Sequence, residues 1–109
     1  MRLNEYKILW ILVFFDLPTE TKKERKIAAR FRKDIMADGF TMFQFSIYIR
    51  HCSSRENMDV HVKRIKKILP EKGHIGLLTV TDKQFTTMEI FYGKKLADQP
   101  QISQQLEMF

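Results

Sequence analysis

Asp16 is the first charged side chain after the apolar run Ile8-Leu9-Trp10-Ile11-Leu12-Val13-Phe14-Phe15, and Leu17-Pro18 follow it. A carboxylate in that place could ligate a hard cation or approach a phosphate. Hydrolysing a phosphodiester requires charge to be neutralised on the phosphoryl oxygens and a water to be activated. Carboxylate-bound Mg2+ supplies both. One carboxylate alone is a poor magnesium site, so this chemistry needs a second Asp16 from a two-fold dimer, in which a residue can face its own mate. The other reading, and the commoner role of an aspartate at a strand end, is an Asx hydrogen bond that caps the next turn.

Other site types are excluded by what the sequence lacks. It has no glycine-rich phosphate loop, no G-x-G-x-x-G and no nucleophile elbow. His51 and Cys52 are adjacent, so their side chains diverge in a strand, and no C-x-x-C or H-x-x-x-H spacing offers a zinc site. His61 and His74 read as isolated surface or capping residues, and Cys52 as a small apolar filler. A lone cysteine cannot form an internal disulfide and fits a reducing cytoplasm.

A second group of residues speaks to nucleic acid. The 19 Lys and Arg outnumber the 13 Asp and Glu, for a net charge of +6, the electrostatic footprint of a protein that meets phosphate backbones. Lys22, Lys23, Arg25, Lys26, Arg30, Arg32 and Lys33 crowd one segment, while Lys63, Arg64, Lys66 and Lys67 crowd another. Solvated helix faces carry such lysines too. Arg50, His51 and Arg55 lie near an expected strand end and helix N-terminus, where cations and free N–H groups can meet phosphate. Lys22, Lys23, Lys26, Arg30, Arg50 and Arg55 are the candidate contacts. No base-reading pattern is present, so the expected mode is salt-sensitive and sequence-independent.

The elements that carry these residues follow from periodicity. The apolar run predicts a buried strand over residues 6–15; at eight residues it is too short to cross a bilayer and lacks a signal-peptide cleavage site. Thr21-Lys22-Lys23-Glu24 is a capping box that opens a helix to about Ala37, with Ile27, Ala28, Phe31 and Ile35 as its buried stripe and Asp38-Gly39 as its stop. Residues 40–50 alternate, as one long strand or two joined by a bend. Phe43, Phe45, Ile47 and Ile49 share the face expected to pack on the helices, and Met42, Gln44, Ser46 and Tyr48 share the other. Ser53-Ser54-Arg55-Glu56 reads as a second capping box, before a helix with Met58, Val62, Ile65 and Leu69 inward and Pro70 at its end. Glu71 to His74 is a turn, Ile75 to Thr81 a strand, and Phe85 to Phe91 a further strand closed by Gly93. The order β-α-β-β-α-β predicts an α+β, ferredoxin-like domain with an antiparallel sheet, over residues 1–94. Residues 95–109 form a polar tail whose Ile102, Leu106, Met108 and Phe109 could add a strand to a partner. Nine phenylalanines on a small scaffold suggest a thick core or a buried subunit interface.

The sequence resembles a known family. Phe14-Phe15-Asp16-Leu17-Pro18, the basic segment Lys23-Glu24-Arg25-Lys26, Gly39-Phe40 and Met42-Phe43-Gln44-Phe45-Ser46-Ile47-Tyr48 are similar in order and spacing to the small CRISPR-associated adaptation proteins, nearest the type II branch. The resemblance implies a homodimer joined through its sheet faces, with Asp16 at the position of a metal-binding aspartate in a Mg2+-dependent endonuclease site. It also implies that the dimer bridges CRISPR integrase dimers and supports double-stranded DNA during spacer acquisition, in the cytoplasm and away from membranes. Ser46 and Tyr48 fall at motif positions read as packing and interface residues. The alternative is a ferredoxin-like RNA-binding module without nuclease activity, which would stack bases on sheet aromatics. Gly39-Phe40-Thr41-Met42-Phe43 does not reproduce that module's pattern.

Overall fold

In the computed structural model, which describes residues 8–97, two split β-α-β units interlock. Strand β1 (Leu9–Asp16), helix α1 (Lys22–Ala37) and strand β2 (Thr41–Gln44) form the first; strand β3 (Ile47–Cys52), helix α2 (Arg55–Lys67) and strand β4 (His74–Thr81) form the second. The sheet order is β2-β3-β1-β4, and every neighbouring pair is antiparallel. This is the ferredoxin-like, mixed α+β arrangement the element order predicts. A short helix α3 (Asp82–Thr86) and a hairpin of β5 (Ile90–Tyr92) with β6 (Lys95–Ala97) follow. The expected domain boundary between residues 94 and 95 falls inside this hairpin, and the rest of the expected tail lies outside the described residues.

Alternation along β1 divides the interior in two. Leu9, Ile11, Val13 and Phe15 join Phe31 and Ile35 of α1 and Met58 and Ile65 of α2 in the main core. Trp10 and Leu12 project from the opposite face and pack with Ile49, Phe85 and the flanking Phe43. There α3 acts as a small cover: Phe85 stacks on Trp10 with ring centroids 4.2 Å apart, and the Trp10 indole N–H donates to Asp82 Oδ1 at 2.9 Å.

Several expectations need correction. Phe43 and Ile49 face α3, not the two long helices, whereas Tyr48 lies in the main core. Phe45 does not share their burial; it stands at the β2–β3 turn, 82% exposed. Of the two forms expected for residues 40–50, the structure has the second, two strands, because Ser46 adopts φ 69° and turns the chain. Ile27 is exposed, leaving Ala28, Phe31 and Ile35 as the stripe of α1. The second helix is capped one residue later than expected, by Ser54, whose hydroxyl accepts from the Asn57 N–H at 3.0 Å. Phe85 opens no strand: Thr81 and Gln84 form a capping box that starts α3 instead.

Candidate functional site

Asp16 is the last residue of β1, exposed on the face that carries Trp10 and Leu12. Its main chain is held from two sides. Phe15 N–H donates to the Ser46 carbonyl at 3.0 Å, and the Asp16 Cα registers with His74 across β4. Beyond it, the Arg25 guanidinium donates to the Thr19 and Glu20 carbonyls at 3.0 Å each, tying the loop between β1 and α1. Among the described residues the Asp16 carboxylate makes no hydrogen bond or ion pair, so no Asx bond caps the next turn there. It borders a concavity of about 380 Å³ with Phe14, Phe45, Ile47, His74 and Gly76. Arg32 lies over the Phe45 ring, 5.9 Å from its centroid, a cation–π contact.

Within one chain, no group of three or more His, Cys, Asp or Glu side chains gathers for a metal among the described residues. Asp16 is therefore one oxygen donor. It suits a magnesium ion that retains waters, provided a second carboxylate arrives from another copy.

The basic candidates divide by environment. Lys22, Lys23, Lys26 and Arg30 are exposed on α1, and Arg55 is exposed at the start of α2; Arg30 also pairs with Asp34 at 3.6 Å. Arg50 points inward. Its guanidinium meets His61 Nε2 at 2.9 Å, His61 Nδ1 meets Asp38 Oδ2 at 2.7 Å, and Arg64 donates to Asp38 Oδ1 at 2.9 Å. His61 is 5% exposed, so it is neither a surface nor a capping residue. Sequence reasoning missed this network because its members come from β3, α2 and the α1 cap. The one available signal was helical spacing: His61 falls one turn from Met58 and one turn from Ile65, which puts it on the apolar stripe of α2. Cys52 is buried as expected. Burial pushes its thiol up to about 11, with Arg50 opposing the shift and Asp38 adding to it, so the sulfur is inert at neutral pH.

The sequence model of the family described as CRISPR associated protein Cas2 matches residues 9–88. The chain belongs to the Cas2 family. The match runs from β1 through α3, and so includes Asp16, the basic helices and both packed clusters. The chain is 67% identical over 108 residues to the CRISPR-associated endoribonuclease Cas2 of Flavobacterium psychrophilum, covering 99% of this chain and 94% of that one. It is 50% identical over 101 residues to the protein of the same name from Parvibaculum lavamentivorans, covering 93% and 100%. Against the Campylobacter jejuni Cas2 it is 40% identical over 89 residues, 82% of this chain and 62% of the relative. Cas2 membership supports a role in CRISPR adaptation. Among the described residues no helix is long and apolar enough to cross a membrane.

Proposed function

We propose that the chain serves spacer acquisition as a cytoplasmic homodimer that binds double-stranded DNA without sequence preference and bridges integrase dimers. In this reading the two-fold brings two Asp16 carboxylates together as a metal-dependent endonuclease site. The observation that carries it is the exposed, unengaged Asp16 carboxylate, fixed at the end of a central strand in a strongly basic chain. The sheet-face dimer draws support from apolar surface around that carboxylate: Phe14 is 37% and Leu78 48% exposed, on the face that α3 leaves uncovered. The relatives' name, endoribonuclease, favours RNA as the strand that is cut.

Each group has a separate task. Lys22, Lys23, Lys26, Arg30 and Arg55 hold phosphates by charge. Arg50 belongs to the folding of β3 against α2. Asp16 would hold Mg2+, which when bound neutralises phosphoryl oxygens and makes water a better nucleophile. Arg25 and the Ser46 carbonyl keep the carboxylate-bearing segment rigid.

One variant separates the two halves of this reading. Asp16→Asn is expected to leave the dimer intact and still co-purify with integrase and duplex DNA, while metal-dependent cutting of RNA or duplex DNA disappears. Cutting that persists in Asp16→Asn places the chemistry elsewhere. Failure of the wild-type chain to join integrase and duplex sinks the bridging role.

A further inference from the structure

The donors at the end of the sheet are not all oxygens. The last registered pair between β1 and β4 sets His74 opposite Asp16, and residues paired across antiparallel strands project from the same face. Both side chains are exposed, both border the same concavity, and neither makes a hydrogen bond or ion pair among the described residues. The turn that delivers His74 is tightly set. Gly73, with φ +98°, lies so close that a Cβ there would meet the Asp16 carbonyl oxygen at 2.8 Å and Leu17 Cδ2 at 2.7 Å. Only glycine lets β4 begin this near the end of β1. Two places beyond His74, Gly76 registers with Phe14 and borders the same concavity without a side chain of its own.

The other two histidines are occupied. His61 is engaged by Arg50 and Asp38, and the His51 ring packs against Trp10 with centroids 5.6 Å apart. His74 alone stands beside the carboxylate.

We propose that His74 is a second metal donor next to Asp16, making a mixed carboxylate–imidazole centre that prefers a transition ion such as Mn2+, Co2+ or Zn2+ over Mg2+. Imidazole nitrogen is a good ligand for these ions, whereas magnesium takes oxygen donors. The inference rests on the paired-Asp16 reading: one chain supplies one oxygen and one nitrogen donor group, and the second copy doubles the set. It predicts an ion shared by the two copies, with water completing its coordination.

The test uses the full chain without an affinity tag, stripped by chelator, with Co2+ followed by visible absorption and Mg2+ by calorimetry. Wild type is expected to bind Co2+ at least roughly tenfold more tightly than Mg2+, with a d–d band that reports nitrogen ligation. His74→Asn is expected to lose that preference and alter the band, while dimer mass, melting temperature and Mg2+ binding stay as in wild type. Co2+ affinity and spectrum unchanged in His74→Asn, but abolished in Asp16→Asn, would overturn the role of His74 and leave Asp16 standing. Unchanged Co2+ binding in both variants overturns the metal part of the functional reading as well.

Discussion

Arg50 shows that a residue's type does not by itself state which groups it meets. An arginine near a strand end in a basic chain invites assignment to phosphate, and one of its guanidinium nitrogens meets His61 at 2.9 Å. Because a guanidinium only donates, His61 Nε2 must accept from Arg50, which leaves Nδ1–H to donate to Asp38 Oδ2 at 2.7 Å. Asp38 answers with its second oxygen to Arg64. Among the described residues the Arg50 Nε is buried with no partner, so the rest of the guanidinium depends on this network. Gly39 permits the approach: its φ of +91° ends α1, and any side chain there would collide with the Arg50 guanidinium. Removing His61 strands a partly buried cation and one lone pair of Asp38. His61→Ala should therefore destabilise the fold by roughly 2–4 kcal/mol, measurable by urea unfolding. Arg50→Ala should lower stability more than duplex affinity. A variant with unchanged melting and weakened duplex binding would return Arg50 to the nucleic-acid surface.

At the scale of elements, local signals decided the helices well and the short pieces poorly. The α1 start was readable because both halves of its capping box are local. Glu24 N–H donates to Thr21 Oγ1 at 3.0 Å, and the Thr21 and Glu20 N–H groups donate to Glu24 Oε1 at 3.0 and 3.1 Å. The Thr21 N–H foremost holds the Glu24 carboxyl below its ordinary 4.5, against a smaller opposing effect of desolvation, with Glu20 N–H, the Thr21 hydroxyl and Lys72 adding to the depression. A depressed carboxyl contributes stability that is present above its unfolded value and is lost as pH falls through the folded one. Thr21→Ala should cost about 1 kcal/mol, seen as a melting temperature lower by roughly 4–8 °C. Glu24→Gln, which removes the charge that the Thr21 and Glu20 N–H groups hold, should lower the melting temperature at neutral pH and make progressively less difference in acid below pH 4.5. Helix α3 was misread because Phe85 to Phe91 has strand-like composition, which is a weak guide when packing can override it. The Thr81-x-x-Gln84 box was present in the sequence, but a five-residue helix exists only because Phe85 stacks on Trp10 and Asp82 accepts its indole N–H.

For the whole molecule, the excess of six positive charges matters through its distribution rather than its size. Lys22, Lys23 and Lys26 stand exposed on one helix, while other cations are consumed internally: Arg25 by the β1–α1 loop and Arg50 by His61. Duplex affinity should accordingly fall steeply with salt. Replacing Lys22, Lys23 and Lys26 by Ala should flatten the log–log slope by roughly 0.9 for each phosphate that the variant no longer neutralises; an unchanged slope would put DNA on another face. The sequence by itself determined the element order through β4, the buried first strand, the family motifs and the position of Asp16. These depend on period-2 and period-3.6 patterning and on capping residues a few places apart, which are local quantities. Only the tertiary structure decided which sheet face Phe43 occupies, that His61 is buried on Arg50 and Asp38, and that His74 stands opposite Asp16. Those facts turn on strand register and on side chains meeting across long stretches of chain, as with His61 and Arg50 at a separation of 11 or Trp10 and Asp82 at 72. A one-residue change of strand register would turn Phe43 or His74 to the opposite face, and periodicity shows which residues share a face without naming the partner that each one meets.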